Sequence, residues 1–189
     1  RVGNHMATDE GYRVIDVDAH FYENNKELVE YFDEPYRSET LDRDNPEYGV
    51  GKLLEGTTGD RYVGGRIMRN IEDYKQGGSM STRSVASIMD RLGLDAIVMI
   101  ANSILFASGE ISTDDHRAVQ LCNAYVDFML EQVVDPDRGI YTVIPLPFQD
   151  PEASVELIER AGGEDGVCAL CMVTGGAEPP LGNRKYDPI

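Results

Sequence analysis

The sequence predicts an α/β fold of the (β/α) TIM-barrel type, here a partial barrel of about four parallel strands with flanking helices. Three observations predict it. Short apolar runs alternate with segments of helical period, the pattern of parallel strands buried beneath helices. The first run ends in Asp16-Val17-Asp18-Ala19-His20, so polar, metal-competent side chains gather at a strand terminus. Four strand-and-helix units fill the 189 residues, whereas a full eight-stranded barrel takes about 250. The last strand is followed by a Pro-rich stretch and no helix, so a half barrel is expected in preference to a small open sheet.

Strand one is expected over 13–20. Alternation places Ile15, Val17 and Ala19 on one face, to pack under helices, and Asp16, Asp18 and His20 on the other. Asn24 or Asn25 caps a short helix over 26–32 that stops near Pro35. Residues 36–80 are rich in Gly, Asp, Asn and Tyr, include Gly64-Gly65 and Gly77-Gly78, and have weak periodicity. They read as an inserted loop or lid, with disorder as the plainer alternative. Ser81 or Thr82 opens a helix through Leu92, closed by Gly93. Strand two is Ala96 to Ile100. Ser112 or Thr113 caps a long helix to about Val134, followed by Asp135-Pro136. Strand three is Ile140 to Ile144, a helix runs from Pro151 to Ala161, and strand four is Val167 to Val173. Residues 1–6 read as an added or disordered leader ending at Met6, a plausible native start. Residues 7–189 read as the N-terminal half of the barrel.

The chain has 34 acidic against 17 basic residues, a net charge of -17. Such a surface repels nucleic acid and anionic membranes, which excludes both as expected partners. It fits either an ordinary acidic protein or a halophilic one, in which salt screens self-repulsion. Only four of the 17 basic residues are lysines, which favours the second. No run of about 18 apolar residues marks a membrane span, and no signal peptide precedes the first strand. With three cysteines, an odd number, this points to the reducing cytoplasm. Cys168 and Cys171 have C-x-x-C spacing but lie in an apolar run, and read as core thiols rather than as a metal or redox pair.

In a barrel, side chains at the C-terminal strand ends line the active site. Asp18 and His20 end strand one, Asn102 follows strand two, Pro145 to Gln149 follow strand three, and Thr174 follows strand four. Asp18 and His20 are the candidate metal ligands, because a divalent ion takes carboxylate oxygen and imidazole nitrogen readily. The plainer reading is an Asp–His hydrogen bond. Asp16 is a candidate for orienting the imidazole, and Glu23 for touching substrate. Arg66 and Arg69 have the chemistry to grip a substrate carboxylate, though loop arginines are commonly just solvated. His116, near the start of the long helix, reads as a surface or capping residue. No nucleophile elbow, phosphate loop or dinucleotide fingerprint is present.

Six segments in order resemble one family. Val14-Ile15-Asp16-Val17-Asp18-Ala19-His20-Phe21-Tyr22-Glu23 is similar to the D-x-D-x-H-x-x-E opening of amidohydrolase-related metal-dependent hydrolases, the relatives of aminocarboxymuconate semialdehyde decarboxylase. Met89 to Asp95, Cys122 to Tyr125, Asp135 to Arg138, Pro145 to Ala153 and Tyr186 to Pro188 also resemble it. The resemblance implies a distorted barrel with a divalent metal, zinc or manganese. It implies hydrolysis or nonoxidative decarboxylation of a small carboxylic acid or amide-like substrate. Asp18 stands where the decarboxylases have a histidine. The family's other ligands are histidines after strands five and six and an aspartate after strand eight. The general base is therefore expected outside this chain, which by itself is expected to be inactive. Association with a C-terminal half, or a homo-oligomer, is expected. The alternatives are a noncatalytic half barrel that oligomerises through open sheet edges, and a small open-sheet binding domain.

Overall fold

The computed structural model describes residues 11–21, 25–41, 82–101, 115–172 and 177–189. Among these, four strands form one sheet in the order β1-β2-β3-β4, and every neighbouring pair is parallel. The strands are β1 (Ile15–Phe21), β2 (Ala96–Ala101), β3 (Ile140–Pro145) and β4 (Val167–Cys171). After β1 come a one-turn helix α1 (Asn25–Leu28), a 3-10 turn (Val29–Tyr31) and α2 (Tyr36–Leu41). Helix α3 (Thr82–Leu92) precedes β2, α4 (Asp115–Gln132) joins β2 to β3, and α5 (Pro151–Ala161) joins β3 to β4. Sequential parallel neighbours with helical connections are repeated βαβ units. The fold class agrees with the sequence reading.

Local chemistry explains the boundaries. Helix α3 ends at Gly93, whose φ of 68° is the left-handed conformation that favours glycine at a helix end. The Asp150 side chain accepts from the Ala153 N–H at 3.0 Å and Pro151 opens α5, a matched start signal. Asp135 likewise caps the 3-10 turn Pro136–Arg138 before β3. Val14 N–H donates to the Asp95 carboxylate at 2.6 Å, tying the start of β1 to the start of β2.

The core lies between the sheet and the helices. Partners in a parallel ladder share a face, so Phe21, Met99 and Thr142 lie on one side together. That side meets α4. The Phe21 ring sits 6.4 Å from Tyr125 and 6.0 Å from Phe128, and Tyr31 meets Phe128 edge-on at 5.7 Å. Thr142 is fully buried, and its hydroxyl donates to the Met99 carbonyl at 3.2 Å. A second small cluster joins Phe148, Ala177 and Tyr186 beyond β3 and β4.

Three expectations change. The proposed loop at 36–80 starts in a helix, α2; residues 42–80 lie outside the described residues, as do the leader at 1–6, Asn24, Ser81, Ser112 and Thr113. Ile15 and Val17 do not pack under helices: they are 50% and 65% exposed. Strand β4 is not a buried strand either. Among the described residues it is an edge, Cys168 is exposed and Cys171 only half-buried.

Candidate metal centre

The site begins with an irregularity in β1. Ile15 and Asp16 stand opposite Ala96 and Ile97, but Ala19 stands opposite Met99. Val17 and Asp18 thus share the space of one residue on β2, a β-bulge. Its cause is written in the sequence as Asp-x-Asp. The Asp16 side chain accepts from the Asp18 N–H at 3.0 Å, the two-residue reach by which Asp competes with a ladder for its own backbone.

The bulge breaks the expected alternation. Asp16 pairs with Ile97, on the face of Ala19 and Phe21 that meets α4. His20 pairs with Ile100, on the opposite face with Ile15. Asp16 therefore does not share the imidazole's face; it holds the bulge. This corrects the expectation that Asp16 orients His20. The same slip leaves Ile15 and Val17 away from the helices.

Past the bulge the two candidate ligands come together. His20 Nε2 lies 3.6 Å from Asp18 Oδ1, beyond hydrogen-bond length but close enough for one ion to meet both. Their side chains are 41% and 82% exposed, so the pair is open to solvent. The donor set, one carboxylate and one imidazole, suits zinc or manganese. Among the described residues no third His, Cys, Asp or Glu joins them into a metal-binding group. Glu23, Asn102, Arg66, Arg69 and Thr174 lie outside the described residues. His116 is exposed in the first turn of α4.

The other family-like segments hold the scaffold. Asp95 ties β1 to β2. Cys122 and Tyr125 are buried core residues of α4, and Asn123 Oδ1 accepts from the Arg160 guanidinium at 2.8 Å, linking α4 to α5. Arg160 also pairs with Asp127. Tyr186 stacks obliquely on Phe148 at 6.3 Å and donates its hydroxyl to the Pro179 carbonyl at 2.8 Å. Burial raises the pKa of the Cys122 thiol strongly, with a smaller contribution from Cys171, and burial also raises those of Cys168 and Cys171. All three are free thiols with no sign of activation.

No family model and no curated protein matches the sequence. Solved structures do match. A crystal structure of an amidohydrolase from Mycobacterium avium subsp. paratuberculosis K-10 aligns with a TM-score of 0.60 at 18% identity, over 94% of this chain and 55% of that one. This chain thus spans about half the length of the structure it matches. The likeness establishes the architecture: a barrel-type α/β fold of four parallel strands with flanking helices, corresponding to part of the amidohydrolase structure.

Proposed function

We propose that this chain carries one part of the metal site of an amidohydrolase-type enzyme, and that Asp18 and His20 are its ligands. One observation carries the reading: the two side chains stand 3.6 Å apart and open to solvent, next to the C-terminal end of the first strand of a barrel-type sheet. That strand end is where barrel enzymes place their chemistry. The amidohydrolase likeness supports the reaction class.

In this reading Asp18 and His20 hold a divalent ion, zinc before manganese, which when bound would polarise a substrate carbonyl or carboxyl, or activate water. The Asp16 side chain fixes the backbone at Asp18, and the bulge turns the carboxylate and the imidazole toward one point. The substrate is a small carboxylic acid or amide, and the reaction hydrolysis or nonoxidative decarboxylation. Two ligands fall short of the three that catalytic zinc usually takes, so further ligands and the general base come from elsewhere. The three free thiols fit a cytoplasmic setting.

The test is competition for zinc and for manganese against a chromogenic chelator, for the native chain, Asp18→Asn and His20→Ala. Two ligands on an open strand end predict weak 1:1 binding, in the micromolar range or above. Each variant should weaken it by at least about tenfold, as loss of a first ligand does more than loss of its supporting contacts. Equal binding by all three chains would place the metal elsewhere and end this reading.

A further inference from the structure

Strand β1 is anchored at both of its ends. At its start the Val14 N–H donates to the Asp95 carboxylate at 2.6 Å, and the Asp95 N–H donates back to the Val14 carbonyl at 2.8 Å. Ile15 and Asp16 follow directly, opposite Ala96 and Ile97. At its end Phe21 is fully buried, its ring packed on Tyr125 and Phe128. Ala19, His20 and Phe21 stand there opposite Met99, Ile100 and Ala101. Between the anchors β1 advances from residue 16 to residue 19, while β2 advances only from 97 to 99. One residue of β1 has no place in the ladder and must be taken up within that span.

Where it is taken up decides which way Asp18 faces. In the structure Val17 and Asp18 together span the place of Val98, and the Asp18 carboxylate lies 3.6 Å from His20 Nε2. If Ala19 were the extra residue instead, Asp18 would stand opposite Met99, whose face meets α4. Both anchors would be unchanged, yet the carboxylate would turn from His20 toward the helices. A slip of one residue is enough to exchange the faces of a strand. The bulge takes Asp18 out of the ladder, and its N–H needs another partner. The Asp16 side chain is that partner, at 3.0 Å, and an Asp side chain reaches the N–H two residues on. The bond therefore belongs to this position of the bulge.

We propose that Asp16 is a positioning residue whose side-chain oxygen pins the extra residue of β1 ahead of Asp18, and so keeps the Asp18 carboxylate on the face of His20. Asp16 acts as an acceptor and not through its charge, and it is not itself a ligand, since it lies on the α4 face with Ile97. Its consequence for metal binding rests on the reading of Asp18 and His20 as ligands. The pinning itself does not.

Three variants test it: Asp16→Ala, Asp16→Asn, and Asp16→Ala with Val17 deleted, each checked for a native core by near-UV circular dichroism. Asp16→Asn keeps an accepting oxygen and loses the charge. The deletion removes the extra residue, so Asp18 stands opposite Val98 on the face of His20 with nothing left to pin. In metal-free chains, amide exchange at Asp18 followed by NMR should be about tenfold faster or more in Asp16→Ala and close to native in Asp16→Asn. The dissociation constant for zinc should rise by about tenfold or more in Asp16→Ala. It should return to within a few-fold of native in Asp16→Asn and in the deletion variant. Unchanged exchange at Asp18 in Asp16→Ala, an Asp16→Asn chain as weak as Asp16→Ala, or a folded deletion variant that regains no affinity would overturn the proposal. A native chain that binds no zinc would end the metal reading alone, and the exchange rates would still decide the role of Asp16.

Discussion

His20 and Asp18 were visible in the sequence as a pair because spacing on a strand is enough to make them neighbours. The part played by Asp16 was not. Alternation assigns it to their face, and only the hydrogen bond from the Asp18 N–H to its side chain, with the bulge that results, moves it to the other. A register slip of one residue changes the face of everything beyond it, and no periodicity count registers that. In the core, Thr142 has a similar hidden role. It reads as one more β-branched strand residue, yet its hydroxyl lies between the Met99 carbonyl and the Tyr125 hydroxyl, at 3.2 and 3.4 Å. Thr142→Val keeps the shape and removes both contacts, and should cost about 1 kcal/mol in urea unfolding. Cys122 gives a pH prediction. Burial lifts its pKa above the ordinary 9.0, so the folded chain holds the neutral thiol while the unfolded chain releases its proton. The contribution is intact below 9.0 and is lost as pH rises above it. Stability should therefore fall on the alkaline side, and Cys122→Ala should flatten that fall. At neutral pH a thiol reagent should label Cys168 first and Cys122 only on unfolding.

At the scale of elements, α3, α5 and the central strands followed directly from the sequence. Each carries its own punctuation: Gly93 in the left-handed conformation, Asp150-Pro151 as cap and first residue, apolar runs between turns. Asp150→Ala removes the bond from the Ala153 N–H and should lower thermal stability by about 1 kcal/mol. Gly166 is a harder constraint. Its φ is 92°, and a Cβ there would come within 2.2 Å of the Val134 side chain, so Gly166→Ala should destabilise β4 far more than the cap variant. The outer strands were misread for different reasons. In β1 the bulge takes Ile15 and Val17 off the helix face, and Val17 is 65% exposed. In β4 an apolar run was read as buried, but among the described residues β4 has a strand on one side alone, and Cys168 is exposed.

For the whole molecule, the architecture was legible and the completeness of the site was not. Strand and helix order pointed to a barrel-type sheet, and a solved amidohydrolase matches it over 94% of this chain. This chain spans 55% of that structure. The charge of -17 belongs to this scale as well. Its self-repulsion is long-ranged and falls once the Debye length shrinks from about 10 Å at 0.1 M to about 3 Å at 1 M salt. The urea midpoint should accordingly rise with salt, by the same increment for chloride salts of sodium and potassium; a flat or falling response would remove charge repulsion as a feature of this fold. No helix among the described residues is long and apolar enough to cross a membrane.

The central claim is that the strand end at Asp18 and His20 is a metal site. Anomalous scattering at the zinc edge, from crystals of the native chain and of His20→Ala grown with zinc, addresses it most directly. The account predicts a peak within bonding distance of His20 Nε2 and an Asp18 carboxylate oxygen, about 2.0–2.2 Å from each, and its loss in the variant. A native crystal with no peak at that strand end, or with its zinc bound only at other residues, would contradict it.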